Sequence, residues 1–138
     1  MFNYPITVLV EAIVNHSESN EKVKYSIHNL FPILEIKVSK KIPMTLVGKT
    51  TNIESLFTVY HQIQARQISG VVRRLLRVNT SNKQTWLYLN KQAAFMKILA
   101  ICEEYNDSPL GPIRLIIISH WLSEFIDWFT QSKKETLR

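Results

Sequence analysis

Four arginines give the clearest chemical signal in this chain, because a guanidinium group binds phosphate oxygens through several N–H donors at once. They are Arg66, Arg73, Arg74 and Arg77. On one helix ending near Val78, Arg66, Arg73 and Arg77 would fall within an arc of about 40°, opposite the apolar residues. Arg74 would flank them. The pattern predicts an arginine-rich helix face that contacts the phosphates of a nucleic acid.

The sign of the charge favours this interpretation over a helix face that is merely exposed to water. No acidic residue lies between Arg66 and Arg77, whereas exposed faces usually mix charges and gain i,i+4 pairs. Gly70 lies on the same face, where it would cost about 1 kcal/mol relative to alanine but leave its backbone open to a partner. The alternative stays open that the face is charged only because water surrounds it.

Residues that could support catalysis are not spaced for it. The four histidines are scattered, and Cys102 lies in an apolar run typical of a small buried residue. The segment Gly48-Lys49-Thr50 looks like the end of a nucleotide-binding phosphate loop. Pro43, however, stands where that loop needs a glycine, so the phosphate cradle cannot form. We therefore predict no catalytic site, metal site or cofactor.

Composition points to a basic soluble domain. The 138 residues carry a formal net charge of +6 and have a pI near 9.6, which favours an anionic partner. No secretory signal or membrane-spanning run is visible, and one cysteine fits a reducing compartment. We expect a cytoplasmic protein with one domain over residues 1–130 and a frayed basic tail over 131–138.

The order of the elements predicts an α+β fold. Alternating apolar residues indicate strands near residues 6–14, 34–39, 42–50 and 84–90, and a run with five apolar residues in six indicates a buried strand at 113–118. Helical periodicity indicates a helix capped by Ser19 or Asn20 that ends before Pro32, two helices separated near residues 64–67, and a last helix from Ser119. After Asn90 the pattern is ambiguous, because one helix to about Tyr105 and a short helix followed by a buried strand fit equally well.

Aromatic residues on the strand at 84–90 have two possible roles. Trp86 and Tyr88 share one face of that strand. Such a pair more often packs in a core, but it could also stack on unpaired bases.

Two motifs carry a resemblance to an archaeal family of unknown activity. One is Trp86-Leu87-Tyr88-Leu89-Asn90-Lys91-Gln92-Ala93-Ala94, and the other is Leu110-Gly111-Pro112-Ile113. Together with Asn29-Leu30-Phe31-Pro32 and Ile126-Asp127-Trp128, they make the chain similar to uncharacterised protein family 0201 over nearly its whole length.

That resemblance implies an α+β fold like that of large-subunit ribosomal protein five, also compared with the double-stranded-RNA-binding domain. It implies a mostly antiparallel twisted sheet of five to six strands with helices packed on one face, and a short helix followed by a strand from about Ile98. It further implies RNA binding without an established activity. The sequence differs from the family at Lys97, where glycine is common, and at Gly70, where an acidic residue is common.

Three hypotheses for function follow. The first is an RNA-binding module in which the four arginines, with Lys91 and Lys97, contact the phosphates of structured or double-stranded RNA. The second is an assembly module, such as a homodimer, that uses a sheet edge or Trp86 and Tyr88. The third is an enzyme with a site around Asn90, Lys91 and Gln92, although buried amide side chains more often lock a loop by hydrogen bonds. No membrane or small-molecule cofactor is expected as a partner.

Overall fold

The computed structural model describes residues 2–131, so the predicted basic tail lies outside the described residues except for Gln131. The strands are β1 (Thr7–Ile13), β2 (Ile36–Ser39), β3 (Thr45–Thr50), β4 (Gln84–Leu89), β5 (Ile101–Cys102) and β6 (Ile113–Ile118). The helices are α1 (Asn20–Leu30), α2 (Phe57–Ala65), α3 (Ser69–Val78), α4 (Lys91–Phe95) and α5 (Leu122–Phe129). Short 3-10 turns precede α2 and follow β5.

The strands form one six-stranded sheet in the order β2-β3-β1-β6-β4-β5, and every neighbouring pair is antiparallel. Because side chains alternate across a strand, each strand has one side facing the helices and one facing away. The α+β architecture and the mostly antiparallel sheet predicted from the sequence are confirmed. Within residues 2–131, no helix is long and apolar enough to cross a membrane.

One core lies between the sheet and the helices. Val8, Val10 and Leu115 from the central strands belong to the same buried cluster as Ile27 of α1 and Phe125 of α5. Burial of such apolar side chains contributes about 1.5–3 kcal/mol each. All five helices contribute buried residues to this cluster, so they lie on one side of the sheet. The opposite side, here called the helix-free face, carries Leu9, Glu11, Trp86, Tyr88, Arg114 and Ile116.

Helices α2 and α3 are separate, as the change of apolar direction predicted. Gln67 has a positive φ of 54°, its N–H bonds the carbonyl of Gln64, and the N–H of Ile68 bonds the carbonyl of Ile63. This pair of bonds is the Schellman arrangement that satisfies the last carbonyls of a helix. The chain therefore turns sharply after Arg66 without using a glycine.

Several boundaries differ from the sequence predictions. Strand β3 begins at Thr45, so Pro43 lies in the preceding loop, and β2 rather than β3 forms the edge of the sheet. Gly48 lies within β3, where an added Cβ would approach Cγ of Leu34 to 2.6 Å. This glycine therefore serves close packing, in agreement with the rejection of a phosphate loop.

The other differences lie in the C-terminal half of the described residues. The short helix after Asn90 is confirmed, but the strand expected from Ile98 begins only at Ile101. Helix α5 begins at Leu122 rather than at Ser119. The hydroxyl of Ser119 instead donates to the carbonyl of Pro5 and accepts from the N–H of Trp121.

Candidate nucleic-acid interface

Arg66 and the three arginines of α3 do not share one helix. Arg66 is the C-cap residue of α2, just before the chain reverses at Gln67. Arg73, Arg74 and Arg77 lie on α3. The arc calculated for one continuous helix is therefore wrong for Arg66. Its side chain is nevertheless exposed, as are those of Arg74 and Arg77.

The arginines on α3 have partners from other parts of the chain. Arg74 pairs with Glu103, which follows β5, and Nη2 of Arg77 lies 3.3 Å from Oδ1 of Asp127 on α5. More than half of each of these side chains is exposed, so each ion pair contributes only about 0.2–1 kcal/mol. The expectation of a surface with one sign of charge is wrong, because the balancing acids are distant in sequence and close in space.

Arg73 differs from its neighbours because it fastens two helices together. Its Nε donates to Oγ1 of Thr130 at 2.9 Å, and its Nη2 donates to the carbonyl of the same residue at 3.3 Å. Thr130 directly follows α5 and is buried. Arg73 thus positions α3 against α5 and lies partly buried in that contact.

Lys97 lies at the turn that ends α4. It has a φ of 63°, its N–H bonds the carbonyl of Ala94, and the N–H of Ile98 bonds the carbonyl of Ala93. This is a second Schellman arrangement, and its left-handed residue is most often glycine. A glycine would therefore suit this position.

Gln62 of α2 connects the turn at Lys97 to Arg66. The amide of Gln62 donates to the carbonyl of Lys97 and accepts from the N–H of Leu99, while the carbonyl of Gln62 accepts from the N–H of Arg66. The exposed cations Arg66, Arg74, Arg77 and Lys97 are called the basic helix surface below.

Lys91 is not part of that surface, which corrects the prediction that it contacts phosphates. Its side chain is only 3% exposed. The ammonium group donates to Oε1 and Oε2 of Glu18 at 3.0 and 3.2 Å, to the carbonyl of Ile13 at 2.8 Å and to the carbonyl of Leu110 at 2.9 Å. A lysine has three N–H donors, so these four acceptors saturate it.

The remaining residues of the motif also lock loops together. The Asn90 side chain caps α4 by accepting from the N–H of Ala93, and Gln92 donates to the carbonyl of Pro109. The hydroxyl of Ser108, which is buried, accepts from the N–H of Lys91 and lies 3.1 Å from the carbonyl oxygen of Gly111. The motif at 90–94 and the motif at 110–112 are therefore two halves of one polar junction.

A third motif joins the same junction. The amide of Asn29, near the end of α1, donates to the carbonyls of Ala94 and Phe95 at the end of α4. The carbonyl of Ala94 also accepts from the N–H of Lys97, so Asn29 adds a second bond there and supplies a partner for the carbonyl of Phe95 at the end of the helix. The residues that carry the family resemblance thus hold α1, α4 and the loop before β6 in place.

The charge at this junction is set by Glu18. Burial raises the pKa of its carboxyl group, but hydrogen bonds from Asn15 and Lys91 outweigh that effect and hold the pKa below its ordinary value. Glu18 is therefore ionised at neutral pH and neutralises the buried ammonium of Lys91.

Trp86 and Tyr88 lie on the helix-free face and not in the core. Both are only partly buried, and their ring centroids are 4.5 Å apart. Two further residues lie beside them that were not predicted, Tyr105 and Arg114. The sequence did contain a signal for this face, because Arg114 interrupts the apolar run of β6. A charged side chain in a strand covered on both faces would be costly.

Cys102 is buried, as its apolar neighbours predicted. Burial, and the nearby carboxylate of Asp107, raise the pKa of its thiol, so it is a poor nucleophile. Among residues 2–131, no group of three His, Cys, Asp or Glu side chains is arranged to hold a metal ion.

Comparisons with known proteins agree with the resemblance in the motifs. A family model described as RNA binding matches residues 7–118. The UPF0201 protein of Methanothermobacter thermautotrophicus is 36% identical over 121 residues, which cover 88% of each chain. That of Thermococcus onnurineus is 32% identical over 129 residues, or 93% of each chain.

The fold also matches a solved structure. The crystal structure of the UPF0201 protein from Methanococcus jannaschii has a TM-score of 0.78 to this chain at 23% identity. The match covers 90% of this chain and 92% of that one.

Proposed function

We propose that this chain, which belongs to the archaeal UPF0201 family, is a non-catalytic RNA-binding protein. The observation that carries the proposal is the match of residues 7–118 to a family model described as RNA binding. A net charge of +6 supports it, because such a charge attracts polyanions.

The basic helix surface is the part of the molecule proposed to contact the RNA backbone. Arg66 at the end of α2, Arg74 and Arg77 on α3, and Lys97 after α4 are exposed cations. Exposed ion pairs are weak, so Arg74 and Arg77 can exchange a carboxylate for a phosphate at little cost. A guanidinium can bind a phosphate through two parallel N–H bonds, which an ammonium cannot do.

Gly70 adds access for a partner beside these arginines. It lies in the first turn of α3, and a Cβ built there would meet nothing within 4 Å. The backbone at this point is therefore open to a bulky ligand such as a nucleic-acid strand.

A titration with a structured RNA hairpin tests the proposal. We expect micromolar binding at low salt that weakens steeply with added salt, because each neutralised phosphate adds about 0.9 to the slope of log affinity against log salt on a duplex. Arg74→Lys should weaken binding although it keeps the charge, if the contact is bidentate. No binding even at low salt would refute the proposal.

An assembly module remains the second candidate, and the helix-free face is the observation that favours it. Leu9 and Trp86 are only partly buried there, and Ile118 is exposed. Light scattering tests this candidate: a homodimer that forms without RNA would support it, and a monomer at all concentrations would count against it.

A further inference from the structure

The helix-free face presents a row of three aromatic rings. Trp86 and Tyr88 follow one another on β4, and their rings are tilted by 47° at 4.5 Å. The ring of Tyr105 continues the row, 5.7 Å from Tyr88 and nearly perpendicular to it. Tyr105 is 43% exposed and the other two rings are partly exposed, so water reaches part of every ring in the row.

Arg114 lies beside this row with unused hydrogen-bond donors. Its guanidinium carbon is 5.5 Å from the centre of the Trp86 ring, and its Nη1 lies 3.4 Å from Oε1 of Glu11. Its Nε is buried and has no hydrogen-bond partner among residues 2–131. The Arg114 side chain as a whole is 36% exposed, so a ligand can contact this side chain although it cannot reach the buried Nε.

A shallow cavity separates the aromatic row from the end of β1. It has a volume of about 240 Å³ and is lined by Glu11, Tyr88, Tyr105 and Arg114, among others. This volume is below the roughly 300 Å³ at which sites for drug-sized ligands begin. It presents the aromatic side chains of Tyr88 and Tyr105 beside the charged groups of Glu11 and Arg114.

The strand residues of this face carry more cations than acids, which favours an anion, while the acids Glu104 and Asp107 lie in the turn that holds Tyr105. The charged strand residues that point to this side are the cations Lys37, Lys49 and Arg114 and the acid Glu11. Glu11 pairs with Arg114, whereas among residues 2–131 neither lysine has an ion pair. Flat rings that are attached to phosphates match this combination of aromatic and cationic groups.

We propose that the helix-free face binds unpaired nucleotides of RNA. Their bases stack on Trp86, Tyr88 and Tyr105, Arg114 donates to a base or phosphate oxygen, and Lys37 and Lys49 attract the backbone. This inference rests on the proposed RNA binding and extends it, because it assigns single-stranded segments to the sheet and leaves duplex segments to the basic helix surface.

The test compares two probes, a short oligoadenylate and a blunt RNA duplex of equal charge. Trp86→Leu keeps apolar bulk on the strand but removes the ring, and we expect it to weaken oligoadenylate binding by about tenfold or more. Duplex binding should change by less than about twofold, since the duplex rests on its phosphates. An equal loss for both probes, or none for either, would overturn the inference.

Fluorescence gives a second readout that does not depend on stability. Oligoadenylate should quench part of the tryptophan emission of the wild type. Trp86→Phe should keep most of the affinity but lose this quenching, because the ring that stacks is then no longer a tryptophan. Quenching that persists in Trp86→Phe would place the bases elsewhere.

Tyr105→Leu can replace the Trp86 variants in the binding test if those do not fold, because Tyr105 lies in an exposed 3-10 turn outside the sheet. The same selective loss of oligoadenylate binding is expected. If neither probe binds the wild type, the proposed function itself fails. If the duplex binds and oligoadenylate does not, RNA binding stands and the assignment of the sheet is wrong.

Discussion

Nζ of Lys91 lies 2.9 Å from the carbonyl oxygen of Leu110, and this hydrogen bond joins the two motifs by which the sequence resembles its family. The same ammonium group binds Glu18 and the carbonyl at the end of β1. The motifs thus hold the scaffold together at one buried point. Trp86 and Tyr88 are the motif residues that lie on a surface that we propose for RNA, and the other residues of that surface lie on the helices and on the helix-free face.

Loss of Lys91 should destabilise the protein strongly. Lys91→Met keeps the length of the side chain but leaves the partly buried carboxylate of Glu18 without its cation, which costs about 3 kcal/mol. Urea denaturation measures the change in the free energy of unfolding. Lys24→Met, at an exposed position of α1, is the matched control and should stay within about 0.5 kcal/mol of the wild type. A loss below about 1 kcal/mol for Lys91→Met would contradict this role.

The contribution of Glu18 should depend on pH in a defined direction. Its pKa is lowered on folding, so it stabilises the folded state above its ordinary value of 4.5, and this stability is lost as pH falls through the lower folded pKa. The difference in unfolding free energy between the wild type and Glu18→Gln should be constant near neutral pH. It should shrink as pH falls below 4.5. Glu21→Gln, at an exposed residue of α1, should show no such trend. A difference in unfolding free energy for Glu18→Gln that is as large in acid as at neutral pH would refute this role of Glu18.

Lys97 should be replaceable by glycine with a gain in stability. Its φ of 63° lies in the left-handed region, where a side chain is unfavourable and glycine is not, so Lys97→Gly should stabilise by about 0.5–1 kcal/mol. Lys97→Ala removes the same charge but keeps Cβ, so it should give no such gain in thermal or urea unfolding. Both variants should weaken RNA binding alike; a loss confined to one of them would show that backbone shape, and not charge, matters there.

Removal of the acids beside the basic helix surface should strengthen RNA binding. Glu103→Gln together with Asp127→Asn frees Arg74 and Arg77 from their exposed pairs. Because two such pairs are together worth about 0.4–2 kcal/mol, we expect RNA affinity to rise between about twofold and thirtyfold. Fluorescence anisotropy with a labelled RNA duplex measures it.

The control for that experiment removes equal charge elsewhere. Glu21→Gln with Glu35→Gln neutralises two exposed acids in α1 and before β2. A rise of the same size in this control would indicate a general effect of net charge. No rise in the Glu103 and Asp127 variant would argue against contact at the basic helix surface.

The sequence predicted the elements well where local signals are strong. The alternation in β1, the apolar run of β6 and the Ser19 cap of α1 are local patterns, and the structure confirms the elements that they predicted. The break between α2 and α3 was visible as a change in apolar direction. The residue that ends α2 could not be predicted, because Gln67 adopts a left-handed conformation that usually marks a glycine.

The candidate site was predicted less well because its interactions join residues that are far apart in sequence. Lys91 looked like an exposed cation, and its burial depends on Glu18, 73 residues earlier. Arg77 looked unopposed, and its partner Asp127 is 50 residues later. A helical pattern can show which residues share a face, but it cannot show what the neighbouring helix brings to it.

The most direct test of the account is the salt dependence of RNA binding, measured for three proteins on one RNA duplex. They are the wild type, the variant Arg66→Gln/Arg74→Gln/Arg77→Gln, and the control Lys22→Gln/Lys24→Gln/Lys41→Gln, which loses the same charge from other exposed positions. We predict that the slope of log affinity against log salt becomes shallower by about 2 to 3 in the arginine variant and changes little in the control. Binding with the same slope in all three proteins, or no binding by the wild type, would contradict the account.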